Sequence, residues 1–303
     1  MTKHKLAIIA LIIANIIWGA ASPIFKLSLQ NITPFTLAFI RFFGAAILIL
    51  PFAYNHLSFD KKDLKYLLIL SLSGVSVNII FFFLGIQRAP SINAPIIASS
   101  GPVFIMLGGI FFLKEKIKLK MILGMLLSLL GVMVIIGKPL LENHNTEPAV
   151  MGNIFLVIAT LGSVIHAISS KEIMHKYKAI TVTFWSFLIA SCTFFPLFVY
   201  ESFQPAWMTN IDYRGVLGIV FGIVFSSAIA YLLYQWGLKE TEVQEVGLFA
   251  YIDPVAALLL AIPLLGEYPT PLFFVGSILI FGGLFISEGR IHWHPIHKLK
   301  HKS

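Results

Sequence analysis

Apolar residues run through this chain in long blocks, separated by short polar links that hold most of the charge. A helix crossing the hydrocarbon of a bilayer needs about 20 mostly apolar residues. Ten stretches meet that need: Leu6–Leu27, Pro34–Tyr54, Leu64–Ile86, Ile92–Leu113, Leu119–Ile136, Gly152–Ser170, Ile180–Tyr200, Gly215–Leu238, Val246–Leu265 and Pro271–Ser287. The pattern predicts an all-α integral membrane protein with ten transmembrane helices. The longest polar link, about Gly137–Met151, lies near the centre of the chain, and nothing is left over for a soluble domain.

Composition agrees. Of 303 residues, 58% are hydrophobic and 12% charged, where a soluble domain carries about 25% charged residues. The net charge of +8 would point to nucleic acid on a soluble protein. Here the basic residues cluster in alternate links, the signature of cytoplasmic loops. Seventeen of the 22 Lys and Arg fall on the side of the termini, four on the other side, and Arg41 within a span. Both termini are therefore expected in the cytoplasm, with the lipid bilayer and a small-molecule substrate as partners and no nucleic acid. The first apolar run is too long for a signal peptide and has no small-residue cleavage site, so it is expected to stay as a span. The single cysteine, Cys192, allows no internal disulfide.

A shift of 152 residues lays the chain on itself without a gap. Gly85 meets Gly237, Ala98 meets Ala250, Pro102-Val103 meets Pro254-Val255, and Glu115 meets Glu267. Gly124 and Gly131 meet Gly276 and Gly283, glycines that would share one helix face and allow close helix contact. Each half holds five spans, an odd number, so the halves must cross the membrane in opposite senses. The basic Lys114–Lys118 and its uncharged-or-acidic counterpart Gly266–Thr270 fit opposite compartments. The expected organisation is a first five-helix repeat at 1–137, a linker at 138–151, a second repeat at 152–289 and a basic, His-rich cytoplasmic tail at 290–303. Inverted repeats are a hallmark of secondary transporters, because exchanging the conformations of the two halves gives alternating access.

Five plus five spans, Trp18-Gly19 in the first span, Gly101-Pro102 and Asp253-Pro254 in the fourth of each half, and Glu115 and Glu267 closing those spans together resemble the EamA family of the drug/metabolite transporter superfamily. The resemblance covers about residues 6–288. It implies a bacterial inner-membrane carrier, often an exporter of amino acids or related metabolites, with a central cavity lined by the first, third and fourth spans of each half. It does not fix the substrate.

Paired Gly/Pro-interrupted segments in two halves mark transporter sites. The two here contain Asn93, Pro95, Ser99, Ser100 and Pro102, and Tyr251, Asp253 and Pro254. A proline frees a backbone carbonyl, which in lipid needs a partner or a water-lined cavity; a kink in a packed helix is the alternative. Asp253 lies near the middle of its span, where a carboxylate must face a partner or water. It is read as a proton carrier or a contact for a cationic substrate group, against a structural pair. Arg41 would bind a substrate carboxylate, pair with Asp253, or snorkel to the interface. His166 is a proton relay or a hydrogen-bonded packing residue. Asn15, Trp18 and Ser22 share a helix face that Pro23 interrupts; Asn78 and Phe82 share another, and Tyr231 and Gln235 a third, with Tyr234 nearby. Such polar groups line a pathway or glue helices together. Glu115 and Glu267 are possible helix-end or gate residues.

The chain has no His-Glu-x-x-His, Asp-rich diphosphate motif, Gly-x-Ser-x-Gly or P-loop, the motifs of membrane-bound metal, lipid and nucleotide chemistry. No cofactor or metal is expected, and the histidines of the tail have no defined ligand geometry. The expected function is a secondary transporter, monomeric or homodimeric. A membrane-embedded enzyme acting on a lipid-like substrate is the alternative from another class.

Overall fold

Backbone in lipid must hydrogen-bond within its own segment, and every described element is helical. The computed structural model describes residues 3–113, 119–142, 146–204, 207–208, 211–241 and 249–287. Glu115, its basic neighbours and the tail 290–303 lie outside them. In chain order the helices are α1 Lys3–Ser28, α2 Pro34–Ala53, α3 Leu64–Ser71, α4 Asn78–Arg88, α5 Asn93–Ala98, α6 Gly101–Leu113, α7 Leu119–Glu142, α8 Thr146–Met174, α9 Ala179–Ser202, α10 Tyr213–Val220, α11 Ala230–Glu240, α12 Asp253–Leu265 and α13 Pro271–Ser287. Two π-helical segments, Leu72–Val77 and Phe221–Ile229, join α3 to α4 and α10 to α11.

Among the described residues, seven helical runs have the length and apolar character to cross a membrane. The sequence pattern expects ten. The three that fall short, Asn93–Leu107, Asp253–Leu265 and Pro271–Ser287, fall where the expected fourth, ninth and tenth spans lie. Two of them carry a proline at a break in the helix. Pro102 has no N–H to offer, and the chain breaks at Ser99-Ser100, whose hydroxyls bond back to the Pro95 and Ile97 carbonyls (2.8 and 2.6 Å). Pro254 starts α12 after a single 3₁₀ turn, Ala250–Ile252.

The expected polar linker 138–151 is mostly helix. α7 continues past Pro139 to Glu142, and α8 begins at Thr146. Proline at 139 deprives the Ile135 carbonyl of its helical donor, and Asn153 Nδ2 takes that carbonyl at 2.9 Å. Lys138 remains buried in α7, 3.8 Å from Glu142 and over the Phe273 ring.

Repeat-related helices pack on one another. Gly124 and Gly131 of α7 lie against the backbone of Gly283 and Gly276 of α13, so close that a Cβ on any of the four would overlap its neighbours. Because 124 faces 283 while 131 faces 276, the two helices run antiparallel. The same holds for α2 and α9: Phe39 stacks on Phe198 (4.6 Å) and Phe42 on Phe194 (5.9 Å). Residues 42 and 194 are each other's counterparts under the 152-residue shift, so a pseudo-two-fold axis passes between them, across the helices. The remaining contacts obey it. α1 packs on α11 and α12, and α8 packs on α4, α5 and α6. The first helix of each half thus lies against the third and fourth segments of the other. Outward faces carry exposed apolar stripes such as Leu6, Ile9, Ile13 and Ile16 on α1, as a lipid-facing surface should.

Candidate functional site: a central polar and aromatic cavity

The two π segments sit at corresponding places. A shift of 152 takes 72–77 to 224–229, inside the second segment. π turns leave carbonyls without their usual partner and often mark functional sites. An aromatic N–H from the first helix of the other half reaches the second segment itself and the turn just before the first. His166 Nδ1 of α8 lies 2.9 Å from the Leu70 carbonyl, next to the first segment. Trp18 Nε1 of α1 donates to the Ser226 carbonyl in the second at 3.1 Å. The His166 ring fills the space where a Cβ on Gly74 would stand. Only glycine admits it there.

Between these elements lies a cavity of about 240 Å³, roughly eight water volumes at about 30 Å³ each. From α1 it is lined by Asn15, Trp18, Ser22 and Phe25, and from α2 by Arg41 alone. Gly74, Asn78 and Phe82 line it from the α3–α4 run, and Pro95, Gly101 and Pro102 from the broken α5–α6 run. Thr160, Ser163 and His166 of α8, Ser226, Tyr231 and Tyr234 of the second half's third run, and Asp253 of α12 complete it.

Most of its polar groups are tied down. Asn15 Nδ2 donates to the Leu11 carbonyl (2.7 Å) and Asn78 Nδ2 to the Ala159 carbonyl (2.7 Å). Ser22 Oγ reaches the Gly19 carbonyl at 3.4 Å, the group that Pro23 frees. The bond from His166 to Leu70 requires a proton on Nδ1, so neutral His166 can accept at Nε2 from the Gln235 amide, 3.1 Å away. Trp18 packs at 5.2 Å from Tyr231 and 4.9 Å from Tyr234.

Two charged groups are different. Arg41 is 2% exposed and does not snorkel. Its Nε donates to Ser227 Oγ (2.7 Å) and its Nη2 reaches the Ser226 carbonyl (3.4 Å). Its guanidinium lies over the Phe25 and Phe42 rings, 4.9 and 4.7 Å from their centroids. Asp253 presents a carboxylate whose buried Oδ1 has no hydrogen-bond partner among the described residues. Neither group belongs to an ion pair among the described residues.

The other residues singled out from the sequence lie off the cavity wall. Pro23 and Pro254 are buried in their helices. Ser99 and Ser100 form the break between α5 and α6. Asn93 donates to Asn153 Oδ1 at 2.9 Å, a helix-to-helix contact. Gln235 stands behind His166, and Tyr251 packs edge-on against Phe281 (5.3 Å). Glu267 ties the two halves together at one end of the bundle. It follows the left-handed Gly266 that caps α12 (φ 64°), takes the Lys26 ammonium at 2.7 Å, and accepts from Ser91 N, Ser91 Oγ and Ile92 N at 2.7, 2.6 and 3.3 Å. Phe25, Gly74, Thr160, Ser163 and Ser226 line the cavity without having been singled out. Small and apolar residues inside apolar blocks carry no mark of their own. The recurring Ser/Thr of 160–163, one turn before His166 on the same helix, was the available signal.

Ties between the halves also form at the opposite end. Lys176 lies 3.0 Å from an Asp63 oxygen, and the Tyr177 hydroxyl donates to Asp63 at 2.8 Å. The hydrogen bond to Asp63 holds Lys176 above the usual lysine range, and desolvation does the same to the Tyr177 phenol.

A bundle of membrane-length helices, duplicated about a two-fold axis and packed around a polar and aromatic cavity, is the framework of a small-molecule membrane transporter. The model of the EamA-like transporter family matches residues 5–137 and 150–288, and the chain belongs to that family. It is similar to the uncharacterized transporter YetK of Bacillus subtilis, 26% identical over 94% of this chain and 87% of that one. It is also similar to a probable amino-acid metabolite efflux pump of Escherichia coli, 26% identical over 98% of this chain and 99% of that one. A solved crystal structure shares the fold, with a TM-score of 0.66 at 18% identity over 93% of this chain and 96% of that chain. The chain is a transporter and not an enzyme.

Proposed function

We propose that this protein is a secondary transporter that exports amino acids or related small metabolites by alternating access between two inverted halves. In this reading the chain crosses a bacterial inner membrane ten times, with both termini in the cytoplasm. The halves are 1–137 and 152–289, joined through 138–151 and followed by the tail 290–303. The observation that carries it is the antiparallel packing of repeat-related helices around a central cavity. Two inverted copies of one fold can exchange conformations, and the cavity between them then opens to either side in turn. The name of the Escherichia coli relative supports the substrate class.

Within the cavity, Asn15, Trp18, Ser22, Asn78, Phe82, Pro95, Pro102, His166, Tyr231 and Asp253 contact the solute. Asp253 is the proton-coupling group if transport is driven by protons, since it lines the cavity with a carboxylate oxygen that has no hydrogen-bond partner among the described residues, and ionisable groups inside a span mark proton relays. The Glu267–Lys26 contact is the gate at one end. A thermal-shift screen of purified protein against amino acids, amines, sugars and nucleosides at two pH values tests the substrate class, because a ligand of the folded state raises stability by RT ln(1 + [L]/Kd). Stabilisation by an amino acid is the expected result. Asp253→Asn should flatten the pH profile of transport; an unchanged profile would remove Asp253 from that role.

A further inference from the structure

We infer that the cavity binds its cargo as a zwitterion, with Asp253 as the ammonium subsite and Arg41 as the acid subsite. This rests on the carrier reading above.

The two groups have opposite charge, line the same cavity and are not paired with each other. Arg41 is held by neutral acceptors and two ring faces, and its Nη1 makes no hydrogen bond to a described residue. The carboxylate of Asp253 has a buried oxygen with no hydrogen-bond partner among the described residues. A buried charge without a counter-charge is costly, and in a membrane interior it marks function. Neither charge is repeated in the other half. Under the 152-residue shift, Asp253 corresponds to Gly101 and Arg41 to Thr193, so the symmetric frame stands without them in the other half.

Trp18 separates the subsites. Its indole N–H shares the Ser226 carbonyl with Arg41 Nη2, while the adjacent Gly19 rests against the backbone of Asp253. A solute carrying only an amine would satisfy Asp253 and add net positive charge beside an unmatched guanidinium. A solute carrying only an acid would do the reverse. A zwitterion satisfies both and brings no net charge into a medium of low dielectric. The aromatic faces of Phe25, Phe82, Tyr231 and Tyr234 then meet its side chain.

The test uses the full-length protein and three matched trios of increasing size: L-alanine with ethylamine and propionate, L-leucine with isopentylamine and isocaproate, and L-phenylalanine with phenethylamine and hydrocinnamate. In at least one trio the zwitterion should bind about tenfold or more tighter than either singly charged analogue, as expected for losing one charged hydrogen-bond partner. Asp253→Asn should erase the advantage over the acid, and Arg41→Gln the advantage over the amine. Arg41→Lys should recover part of it, and it carries the test if the glutamine variant fails to fold. If in every trio an amine or acid binds as well as its zwitterion, the assignment is overturned, as it is by a ranking that Asp253→Asn leaves unchanged. If neutral or singly charged solutes show counterflow in proteoliposomes while all three zwitterions fail, the carrier reading stands and the subsites fall. If no solute of any class shows counterflow, the carrier reading falls and takes the subsites with it.

Discussion

Gly74 and His166 fit together through the absence of a side chain. A methyl group at 74 would occupy the imidazole of His166, so Gly74→Ala should destabilise the protein by about 1–3 kcal/mol, the usual cost of overpacking. Removing the whole side chain, Cβ included, should relieve it, because the His166 Cβ is the atom nearest to the added methyl. In a double-mutant cycle followed by thermal melting, Gly74→Ala should cost much less when His166 is already glycine. Equal cost in both backgrounds would show that the His166 side chain and the glycine do not share that space. His166 was visible in the sequence as a polar residue in an apolar block. Its partner, the Leu70 carbonyl, was not, because every residue carries a carbonyl and only the local geometry says which one is free. Arg41 was equally visible, and its inward course was not: a residue's position in a span does not say whether its long side chain follows the helix to the interface or crosses to Ser227 in the other half. Helical spacing put Gln235 on one face with Tyr231, yet it stands one layer behind the cavity wall, since a shared face says nothing of depth.

At the scale of elements, the structure turns on places where helical hydrogen bonding is interrupted and repaired. Pro139 frees the Ile135 carbonyl, and Asn153 takes it. Asn153→Ala leaves that carbonyl unpaired and should cost about 1–3 kcal/mol, read as a lowered melting temperature in detergent; replacing Pro139 by leucine as well should recover most of the loss. A cost that persists with leucine at 139 would mean that Asn153 acts mainly through Asn93. The α7–α13 contact depends on glycine in the same way that close membrane-helix pairs generally do. Gly283→Val should therefore separate the helices and lower stability more than Gly282→Val, since Gly282 faces open space. These glycines were legible in advance through their duplication at a seven-residue spacing. The π segments were not, because a π turn changes hydrogen bonding without changing the apolar pattern. The helical course of residues 138–142 was missed for a related reason: Lys138 and Pro139 read as a link, whereas the buried lysine is matched by Glu142 one turn on.

For the whole molecule, the cross-half ties lie at opposite ends. Residues 61–63 begin, and Arg88 ends, one helical run; Asp63 holds Lys176 and Tyr177 near its start, and Glu267 holds Ser91, Ile92 and Lys26 near its end. Opening either end must break the ties there. Glu267→Gln removes the ion pair and should raise the labelling of a cysteine introduced at Ser22 by an impermeant maleimide added from the Glu267 end; labelling that stays the same would show that this contact does not hold the end shut. At the other end, Lys176 has its pKa raised by Asp63. Its contribution is complete below the ordinary lysine value of about 10.4 and is lost only as pH rises through the raised value, so that tie is expected to hold at neutral pH. The repeat, its period and the broken segments could be read from the sequence, because shared Pro, Glu and Gly are rare coincidences in an apolar chain. The pairing of helices across the axis could not, because contacts between lipid-like faces leave no mark on composition. The central claim, that two inverted halves carry a solute by alternating access, is tested most directly by counterflow in proteoliposomes. Vesicles loaded with an unlabelled amino acid from a panel should transiently accumulate the labelled one above its external concentration, with a rate that saturates. Uptake that stays linear with concentration, with no transient accumulation for any member of the panel, would contradict it.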